Sequence, residues 1–437
     1  MLSGVLATAI RSGLLITSRS NSEQIERITE KLDNDRKLYD TVFGNITDRN
    51  SEMILANHQL IIDSDIDYDP CYTYLLGNPA FDVGLLSSQY KTLTDKSYSN
   101  DNKGLSLRLT IDDHLQKLAY RLSQDRRKSI AIMEKDSGKV LALAGAYNEP
   151  FSLCHVTNEM LEQYSVAEQP VWIPEYVNNY HTGSVMKIFT AAVGCETGWG
   201  DFTVEDTGTV YFNGRSISNA YDTRPKTETM ESAFVNSSNV YFSSLAVAIG
   251  ADSLKTYIDR FLLNTDIRTD FGLLVNQSEL KKRTTDFSIA SFGYGQGGRY
   301  SVVALCLMVQ GALTGRIFRP HVLDGTFYYD TQGEEVTVSE TEEEILSDNI
   351  VSPETGRKVE SMMKAAASAN GLPEHTGIKT GTAEIYDNGH NYNRAAMIGI
   401  YDKYIIAVSE LSEPESTLYG ISQKNTMQQI FAVLAQY

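Results

Sequence analysis

The stretch that constrains the fold most is the apolar run from Val185 to Cys195, which follows Thr182-Gly183-Ser184. A helix that is apolar all round has no face for solvent, so it must lie inside a core built by the rest of the chain. Ser184 and Lys187 stand at its start, three residues apart and therefore on one helix face. Burial would lower the pKa of Lys187, which suits it to accept the proton of Ser184. The pattern indicates an activated serine nucleophile.

The pattern S-x-x-K alone is weak evidence, because it occurs four times, at Ser88, Ser184, Ser278 and Ser361. The copies other than Ser184 lie in polar or charged surroundings. Only Ser184 has a glycine before it and an apolar helical run after it. The context therefore predicts Ser184 as the nucleophile.

Two further motifs strengthen this prediction. Lys379-Thr380-Gly381-Thr382 is followed by apolar runs, Ala395 to Tyr401 and Tyr404 to Val408, that are typical of strands. S-x-N occurs at Ser237, Ser347 and Ser368, each with an asparagine two residues later. Ser347 follows three glutamates and Ser368 precedes a turn signature, whereas Ser237 opens an apolar helical run that would hold it rigidly. Ser237 and Asn239 are the predicted pair.

S-x-x-K, S-x-N and K-T-G in this order and spacing resemble the transpeptidase domain of class B penicillin-binding proteins. Leu109-Thr110-Ile111-Asp112 is similar to the start of that domain, and Gly293-Tyr294-Gly295-Gln296-Gly297 to its glycine-rich turn. The resemblance is strong from about residue 105 to residue 437 and weak over 44–100.

The fold class predicted from these patterns is α+β. Apolar runs on both sides of Asp136-Ser137-Gly138-Lys139 indicate a hairpin, and with the strands after Lys379 they can form one five-stranded antiparallel sheet. Long helical patterns lie between 184 and 370, and a last helix runs from about Ile421 to Tyr437. This arrangement is the β-lactamase/DD-peptidase-like transpeptidase fold that the resemblance implies, a sheet flanked by helices plus an all-helical subdomain.

Three regions are predicted along the chain. Residues 1–43 form an N-terminal segment with an anchor remnant and an amphipathic stalk helix, 44–104 a small pedestal-like region, and 105–437 the penicillin-binding transpeptidase domain. The resemblance implies a place on the extracytoplasmic face of the cell membrane. A spanning helix needs roughly 20 apolar residues, and the apolar segment from Leu2 to Thr17 is shorter and carries Arg11. The anchor itself is therefore not evident in the sequence.

Composition excludes some functions. The formal charge is −18, and no basic run is longer than Lys281-Lys282-Arg283, so no nucleic-acid partner is expected. The cysteines are scattered, with no C-x-x-C, so no metal site and no other cofactor is predicted. Cys195 and Cys306 lie in apolar runs and are expected to be buried free thiols.

The resemblance also implies a mechanism. Ser184 would attack the penultimate D-Ala carbonyl of a stem peptide, Lys187 would take its proton, and Ser237, close to Lys379, would relay a proton to the leaving amine. The substrate-binding residues would be Asn239 for the peptide amide, Thr380 and Thr382 for the terminal carboxylate, and Gly381, where a side chain would obstruct the substrate. The backbone N–H groups of Ser184 and Thr382 would form an oxyanion hole. Peptidoglycan stem peptides, β-lactam antibiotics and a membrane glycan polymerase are the partners implied.

Other functions share these motifs. A D,D-carboxypeptidase would use water in place of the acceptor amine. A β-lactamase or β-lactam sensor has the same fold, but class A enzymes deacylate with an additional glutamate, and Phe261 to Ala290 contains only Glu279. An inactive scaffold in a wall-synthesis complex is the alternative outside enzymes.

Two weaker motifs receive structural interpretations. The glycines from Gly293 to Gly298 also match G-x-G-x-x-G, but no β-α-β pattern surrounds them, so a tight turn is predicted rather than a nucleotide site. His181 precedes Ser184 by three residues. It is interpreted as a cleft-rim or structural residue, because a triad is defined by geometry and not by sequence position.

Overall fold

The computed structural model describes residues 42–56, 68–77, 84–98, 103–124, 128–145, 176–220, 225–281, 284–387, 390–412 and 421–437. Its strands are β1 (Ile46–Thr47), β2 (Met53–Leu55), β3 (Ser106–Leu109), β4 (Lys128–Glu134), β5 (Val140–Gly145), β6 (Tyr180–His181), β7 (Val204–Asp206), β8 (Thr209–Phe212), β9 (Arg215–Ser218), β10 (Lys226–Glu228), β11 (Ile267–Arg268), β12 (Leu273–Leu274), β13 (Gln277–Ser278), β14 (Gly298–Tyr300), β15 (Ile317–Phe318), β16 (Leu323–Tyr329), β17 (Glu335–Glu340), β18 (Ile345–Ser347), β19 (Thr376–Asp387), β20 (His390–Tyr401) and β21 (Tyr404–Ser412). Its α-helices are α1 (Thr73–Leu76), α2 (Gly84–Ser88), α3 (Tyr90–Leu93), α4 (Asp113–Ser123), α5 (Lys187–Glu196), α6 (Met230–Asn236), α7 (Asn239–Ile249), α8 (Ala251–Arg260), α9 (Asp286–Tyr294), α10 (Val302–Thr314), α11 (Pro353–Ala369) and α12 (Ile421–Leu434). Short 3-10 helices cover Pro70–Tyr72, Gly183–Met186 and Glu279–Lys281.

The central sheet has the order β19-β20-β21-β4-β5, and all neighbours among these five described strands are antiparallel. β4 and β5 form the predicted hairpin and are buried over almost their whole length. A strand buried on both faces reads as a continuous apolar run, which is why the sequence shows little alternation here. The prediction that strands from both ends of the domain share one sheet is confirmed.

Helices cover both faces of this sheet. A Cβ on Gly399 of β20 would lie 2.5 Å from the Met427 sulfur, so α12 packs closely on one face, where it also contacts α4. A Cβ on Gly377 of β19 would lie 2.9 Å from Met363 of α11 on the opposite face. Lys379 is two residues beyond Gly377 in the same strand and therefore points to the same side. That side carries the helical subdomain.

The helical subdomain is built around α5 and α10. Lys187 to Gly194 of α5 are all buried, as are Val302 to Ala312 of α10. The Phe189 ring of α5 makes edge contacts with Phe261 and Phe292, with centroids 5.2 and 5.9 Å apart. The apolar run after Ser184 therefore lies in the core, as its pattern predicts.

A second sheet was not predicted. Its described strands have the order β17-β16-β3-β1-β2, in which β1 and β3 are parallel and the other neighbours antiparallel. β1 and β2 belong to the predicted pedestal-like region, whereas β16 and β17 come from deep within the predicted transpeptidase domain. The sheet therefore joins the two regions by backbone hydrogen bonds.

Two predicted features fall outside the described residues: the anchor remnant from Leu2 to Thr17, and nearly all of the amphipathic stalk helix, residues 22–43. Within the ranges given above, no helix has both the length and the apolarity to cross a membrane. Cys306 is a buried free thiol as expected, but the free thiol Cys195 is only half-buried.

Candidate active site

The nucleophile turn, which we define as Gly183–Met186, is a 3-10 helix, and the α-helix begins only at Lys187. The expectation that Ser184 begins the α-helix is therefore wrong by one turn. Tightening to a 3-10 turn is common at helix ends, and here the turn is fixed from outside by its contact with β19. Ser184 is partly exposed, while the rest of the turn is buried.

Glycines allow β19 to touch the nucleophile turn backbone to backbone. A Cβ on Gly381 would lie 2.5 Å from the Thr182 carbonyl oxygen and 3.0 Å from the Ser184 amide nitrogen. Gly183 has a φ of 58°, and a Cβ there would lie 2.4 Å from the Thr382 carbonyl oxygen. The structure adds a second reason for Gly381 besides the predicted one: a side chain there would strike the nucleophile turn. The same contact brings together the segments that carry the Ser184 and Thr382 amides.

The glycine-rich turn supports the nucleophile turn from its other side. Gly295 has a φ of 119°, and a Cβ there would lie 1.8 Å from the Gly183 carbonyl oxygen. The glycines follow α9, whereas a dinucleotide fingerprint follows a strand. The geometry is that of the tight turn that was predicted.

Lys187 is fully buried. Its Nζ donates to the Ser237 carbonyl oxygen at 2.6 Å and to Asn239 Oδ1 at 2.8 Å, and it lies 3.1 Å from Ser237 Oγ. Burial, and secondarily repulsion from Lys379, hold the pKa of Lys187 well below its usual range.

This arrangement suits a neutral amine, which has two N–H bonds and one lone pair. The Ser237 carbonyl oxygen and Asn239 Oδ1 only accept hydrogen bonds, so they take both N–H groups. The lone pair of Lys187 is left to face the Ser237 hydroxyl, at 3.1 Å. The geometry is therefore that of a base held ready for a proton.

Ser237 lies between α6 and α7 with a φ of 54°, in the left-handed region that non-glycine residues rarely occupy. Its Oγ accepts from Lys379 Nζ at 3.0 Å, in addition to its contact with Lys187. The Ser237 hydroxyl therefore lies between the two amines, within hydrogen-bond distance of both. A strained serine between two amines is typical of a functional position.

Lys379 is also buried, and burial lowers its pKa to about 7. Its Nζ donates to the Thr380 carbonyl oxygen at 3.0 Å and lies 5.6 Å from the centroid of the Phe234 ring. Near neutral pH this amine exists in both protonation states, so it can supply or receive a proton.

The remaining predicted residues surround this pair of amines. Thr380 and Thr382 lie on one face of β19, Thr382 exposed and Thr380 partly so. The Asn239 amide uses both ends, because Oδ1 accepts from Lys187 while Nδ2 donates to the Ser218 carbonyl oxygen at 2.9 Å. The structure thus brings Lys187, Ser237, Asn239 and Lys379 into contact, and it places Ser184 next to the backbone of Gly381, between the two threonines of β19.

The rejected motif copies lie elsewhere. Ser347 is on β18, and its hydroxyl donates to the Arg260 carbonyl oxygen at 2.7 Å. Ser361 and Ser368 lie in α11, and Ser278 in β13. None of these has a hydrogen bond to Lys187 or Lys379 within the described part of the chain.

His181 and Glu279 flank the nucleophile turn. His181 pairs with Arg299 across β6 and β14. Burial lowers the pKa of His181, with a further lowering by Arg299 and a partial offset by Glu279. Glu279 is exposed and begins a 3-10 helix beside Gly297. In the described ranges its carboxylate makes no hydrogen bond with the site residues.

Sequence reasoning missed the residues that hold Asn239. Asp206 is fully buried and accepts from the Ser238 hydroxyl at 2.6 Å. Asn219 accepts from the Asn239 amide nitrogen at 2.7 Å. Ser238 caps α7, a role that its position before an apolar helix could have revealed. Nothing in the local sequence points to Asp206 or Asn219.

Metal chemistry has no visible site here. In the part of the chain that the structure covers, no three His, Cys, Asp or Glu side chains are grouped so that they could hold a metal ion.

Comparison with known proteins identifies the family. The sequence profile of the penicillin binding protein transpeptidase domain matches residues 128–432. This chain belongs to that family. Penicillin-binding protein PbpB of Mycolicibacterium smegmatis is 27% identical over 307 residues, which are 64% of this chain and 45% of the relative. Peptidoglycan D,D-transpeptidase FtsI of Escherichia coli K12 is 23% identical over 366 residues, 79% of this chain and 56% of the relative.

Solved structures show the same fold. The ceftriaxone acyl-enzyme complex of penicillin-binding protein A from M. tuberculosis superposes with a TM-score of 0.70 at 18% identity, covering 86% of this chain and 94% of that one. The resemblance to class B penicillin-binding proteins is confirmed. The chain spans about half the length of the curated relatives it matches.

Proposed function

We propose that this penicillin-binding transpeptidase domain is a peptidoglycan D,D-transpeptidase, which cross-links stem peptides through a serine acyl-enzyme and is acylated by β-lactams. The observation that carries the proposal is the buried Lys187 amine, whose N–H groups are held by Ser237 and Asn239 one helical turn from Ser184. An amine held in this way, with its pKa lowered by burial, can take a proton from a neighbouring hydroxyl.

Acylation is the first step of the proposed reaction. The neutral Lys187 amine takes the Ser184 proton as Oγ bonds to the carbonyl carbon of the penultimate D-Ala. The developing oxyanion is stabilised by the N–H groups of Ser184 and Thr382, a contribution of roughly 3 kcal/mol per donor. The C–N bond breaks, and the terminal D-Ala leaves with a proton delivered through Ser237.

Deacylation by a second peptide completes the cycle. Its amine bonds to the acyl carbon and loses a proton, and the Ser184–carbonyl bond breaks with return of a proton to Ser184. Thr380 and Thr382 hold the carboxylate of the donor, and Asn239 its peptide amide. Lys379, with a pKa of about 7, sets the charge beside the Ser237 hydroxyl.

The names of the relatives support the substrate class. FtsI and MrdA are named as peptidoglycan D,D-transpeptidases, and solved neighbours are named as β-lactam acyl-enzyme complexes. The proposed partners are stem peptides, β-lactams and a membrane glycan polymerase, and the proposed location is the extracytoplasmic face of the cell membrane. The division into residues 44–104 and 105–437 remains part of the proposal.

The test is to map the acylated residue. Incubation with penicillin followed by intact-protein and peptide mass spectrometry should place one adduct on Ser184, and none should form on Lys187→Ala. Alanine keeps the helix, and Lys364→Ala, at an exposed ion pair in α11, is the matched control and should be acylated normally. Stem peptides should give cross-linked dimers. Release of D-Ala without dimers would assign a carboxypeptidase, and no adduct at all would assign an inactive scaffold.

A further inference from the structure

The two helices that meet at Ser237 are both anchored to one small ribbon, β7 paired with β10. Glu228 of β10 is buried and accepts hydrogen bonds from the Ser232 hydroxyl and, at 3.0 Å, from Asn236, both in α6. Asp206 of β7 is buried and accepts from Ser238, which caps α7. The ribbon thus fixes both sides of the strained serine through carboxylates.

The contacts of Asp206 extend directly to the site. Asn219 donates to both carboxylate oxygens of Asp206, at 3.0 and 2.9 Å. The Oδ1 of the same amide accepts from the backbone N–H groups of Asn239 and Val240, at 2.7 and 3.1 Å. The carbonyl of Ser218, the residue before Asn219, holds the Asn239 side chain. Asp206 therefore orients Asn219, which fixes the backbone of Asn239.

We propose that Asp206, acting through Asn219 and Ser238, is a positioning residue that directs the Asn239 amide oxygen to Lys187 and keeps Ser237 between the two lysines. This inference rests on the proposed function, because it concerns the same acylation step. Without the carboxylate, the Asn219 NH2 group loses both of its acceptors on Asp206, the backbone of Asn239 is held less firmly, and the Asn239 acceptor of Lys187 is displaced.

Donor and acceptor chemistry makes the idea specific. Asp206→Asn places an NH2 group against the NH2 group of Asn219, which faces both oxygens of Asp206 and which only an acceptor fits. Asn219→Asp alone sets two carboxylates against each other. The exchange Asp206→Asn with Asn219→Asp restores a donor facing an acceptor, and the carboxylate introduced at position 219 still accepts from the backbone N–H groups at the start of α7.

The experiment is stopped-flow acylation of the full chain with a fluorescent penicillin, which separates the non-covalent dissociation constant from the first-order acylation rate constant. Asp206→Asn should lower the acylation rate constant about tenfold or more, since displacing a catalytic group by about 1 Å costs up to 100-fold. The non-covalent dissociation constant should change less than the rate constant. The exchanged pair should recover to within about threefold of the parent protein.

Controls separate positioning from stability. Asp270→Asn removes another carboxylate, a half-buried one that accepts from the backbone N–H groups of Val322 and Leu323. It should lower the melting temperature while leaving the acylation rate constant unchanged. If Asp206→Asn does not fold, Asn219→Ala removes the same contact between Asp206 and Asn219 by a change at a half-buried residue.

The outcomes are distinct. Parent-like acylation in Asp206→Asn or, where that variant is unfolded, in Asn219→Ala overturns the inference, as does an exchanged pair that folds but is no faster than the single variants. If the parent protein forms no acyl-enzyme, the proposed function fails first, and the positioning inference, which rests on it, falls with it.

Discussion

At the scale of single residues, the site depends on the amines of Lys187 and Lys379, whose pKa values are lowered by burial. Lys379 has an ordinary pKa of 10.5 when unfolded and one of about 7 when folded. Between these values the unfolded chain binds a proton that the folded chain does not. The cost of burying Lys379 is therefore largest below pH 7 and disappears as the pH rises toward 10.5.

This linkage gives a prediction for stability. The unfolding free energy of the parent protein minus that of Lys379→Met should rise between pH 7 and pH 10, by on the order of 3 kcal/mol. Urea unfolding at a series of pH values measures it. Lys91→Met, at an exposed lysine, is the control and should give a flat difference. A flat difference for Lys379→Met as well would mean that Lys379 is not desolvated.

The choice between serines gives a second prediction. Ser237→Ala should lower the acylation rate about 100-fold, the usual contribution of a positioned proton relay, whereas Ser347→Ala removes only a hydrogen bond to Arg260 and should leave the rate nearly unchanged. Ser237→Gly should be as slow as Ser237→Ala but more stable, because glycine adopts a φ of 54° without strain. Rapid acylation kinetics measure the rates of these variants, and melting curves measure their stabilities. The reverse order of rates would show that Ser347 belongs to the site.

At the scale of elements, β19 and the nucleophile turn form one unit, because their backbones touch through glycines. Gly381→Ala would push a methyl group into Thr182 and the Ser184 amide. We expect a loss of about 1 to 3 kcal/mol in stability and of at least 100-fold in acylation rate, since the oxyanion donors move apart. Gly200→Ala adds its Cβ in open space, 3.9 Å from the nearest atom, and should change neither quantity. Normal acylation by Gly381→Ala would show that the turn moves without cost.

The elements also show what a sequence reveals and why. α5 and the central strands were predictable, because a long apolar run indicates that an element is buried. The residue at which α5 begins was not predictable, because the sequence from Ser184 to Met186 fits an α-helix as well as a 3-10 helix. The contact with β19 decides between the two. Ser237 was found by its motif, but its left-handed backbone follows from the junction of α6 and α7. Asp206 was missed because its partners are non-local.

At the scale of the whole molecule, one sheet was predictable and the other was not. The central sheet has hairpins and strands near the motifs, so local patterns located it. In the second sheet β3 pairs with β1 on one side and, on the other, with β16, which lies more than two hundred residues further along the chain. No periodicity in the sequence indicates such a partner. The active site lies where the central sheet meets the helical subdomain, so Lys379 comes from one and Ser184 from the other.

The whole site also determines the lifetime of the acyl-enzyme. Hydrolysis by the route of class A β-lactamases needs a carboxylate base beside the acyl carbonyl, and within the described residues no Asp or Glu makes a hydrogen bond with Ser184, Lys187, Ser237 or Lys379. Glu279 is exposed and has no hydrogen bond to the site within the described residues. A chromogenic cephalosporin should therefore give a burst of about one equivalent followed by little turnover.

The same assay on Glu279→Gln supplies the control. Because the carboxylate does not reach the site, the burst and the slow phase should both be unchanged. Sustained hydrolysis of many equivalents by the parent protein, lost in Glu279→Gln, would instead assign the chain to the β-lactamases and give Glu279 the role of the deacylating base. Slow turnover in both proteins means that only a bound acceptor amine releases the acyl group efficiently, as cross-linking requires.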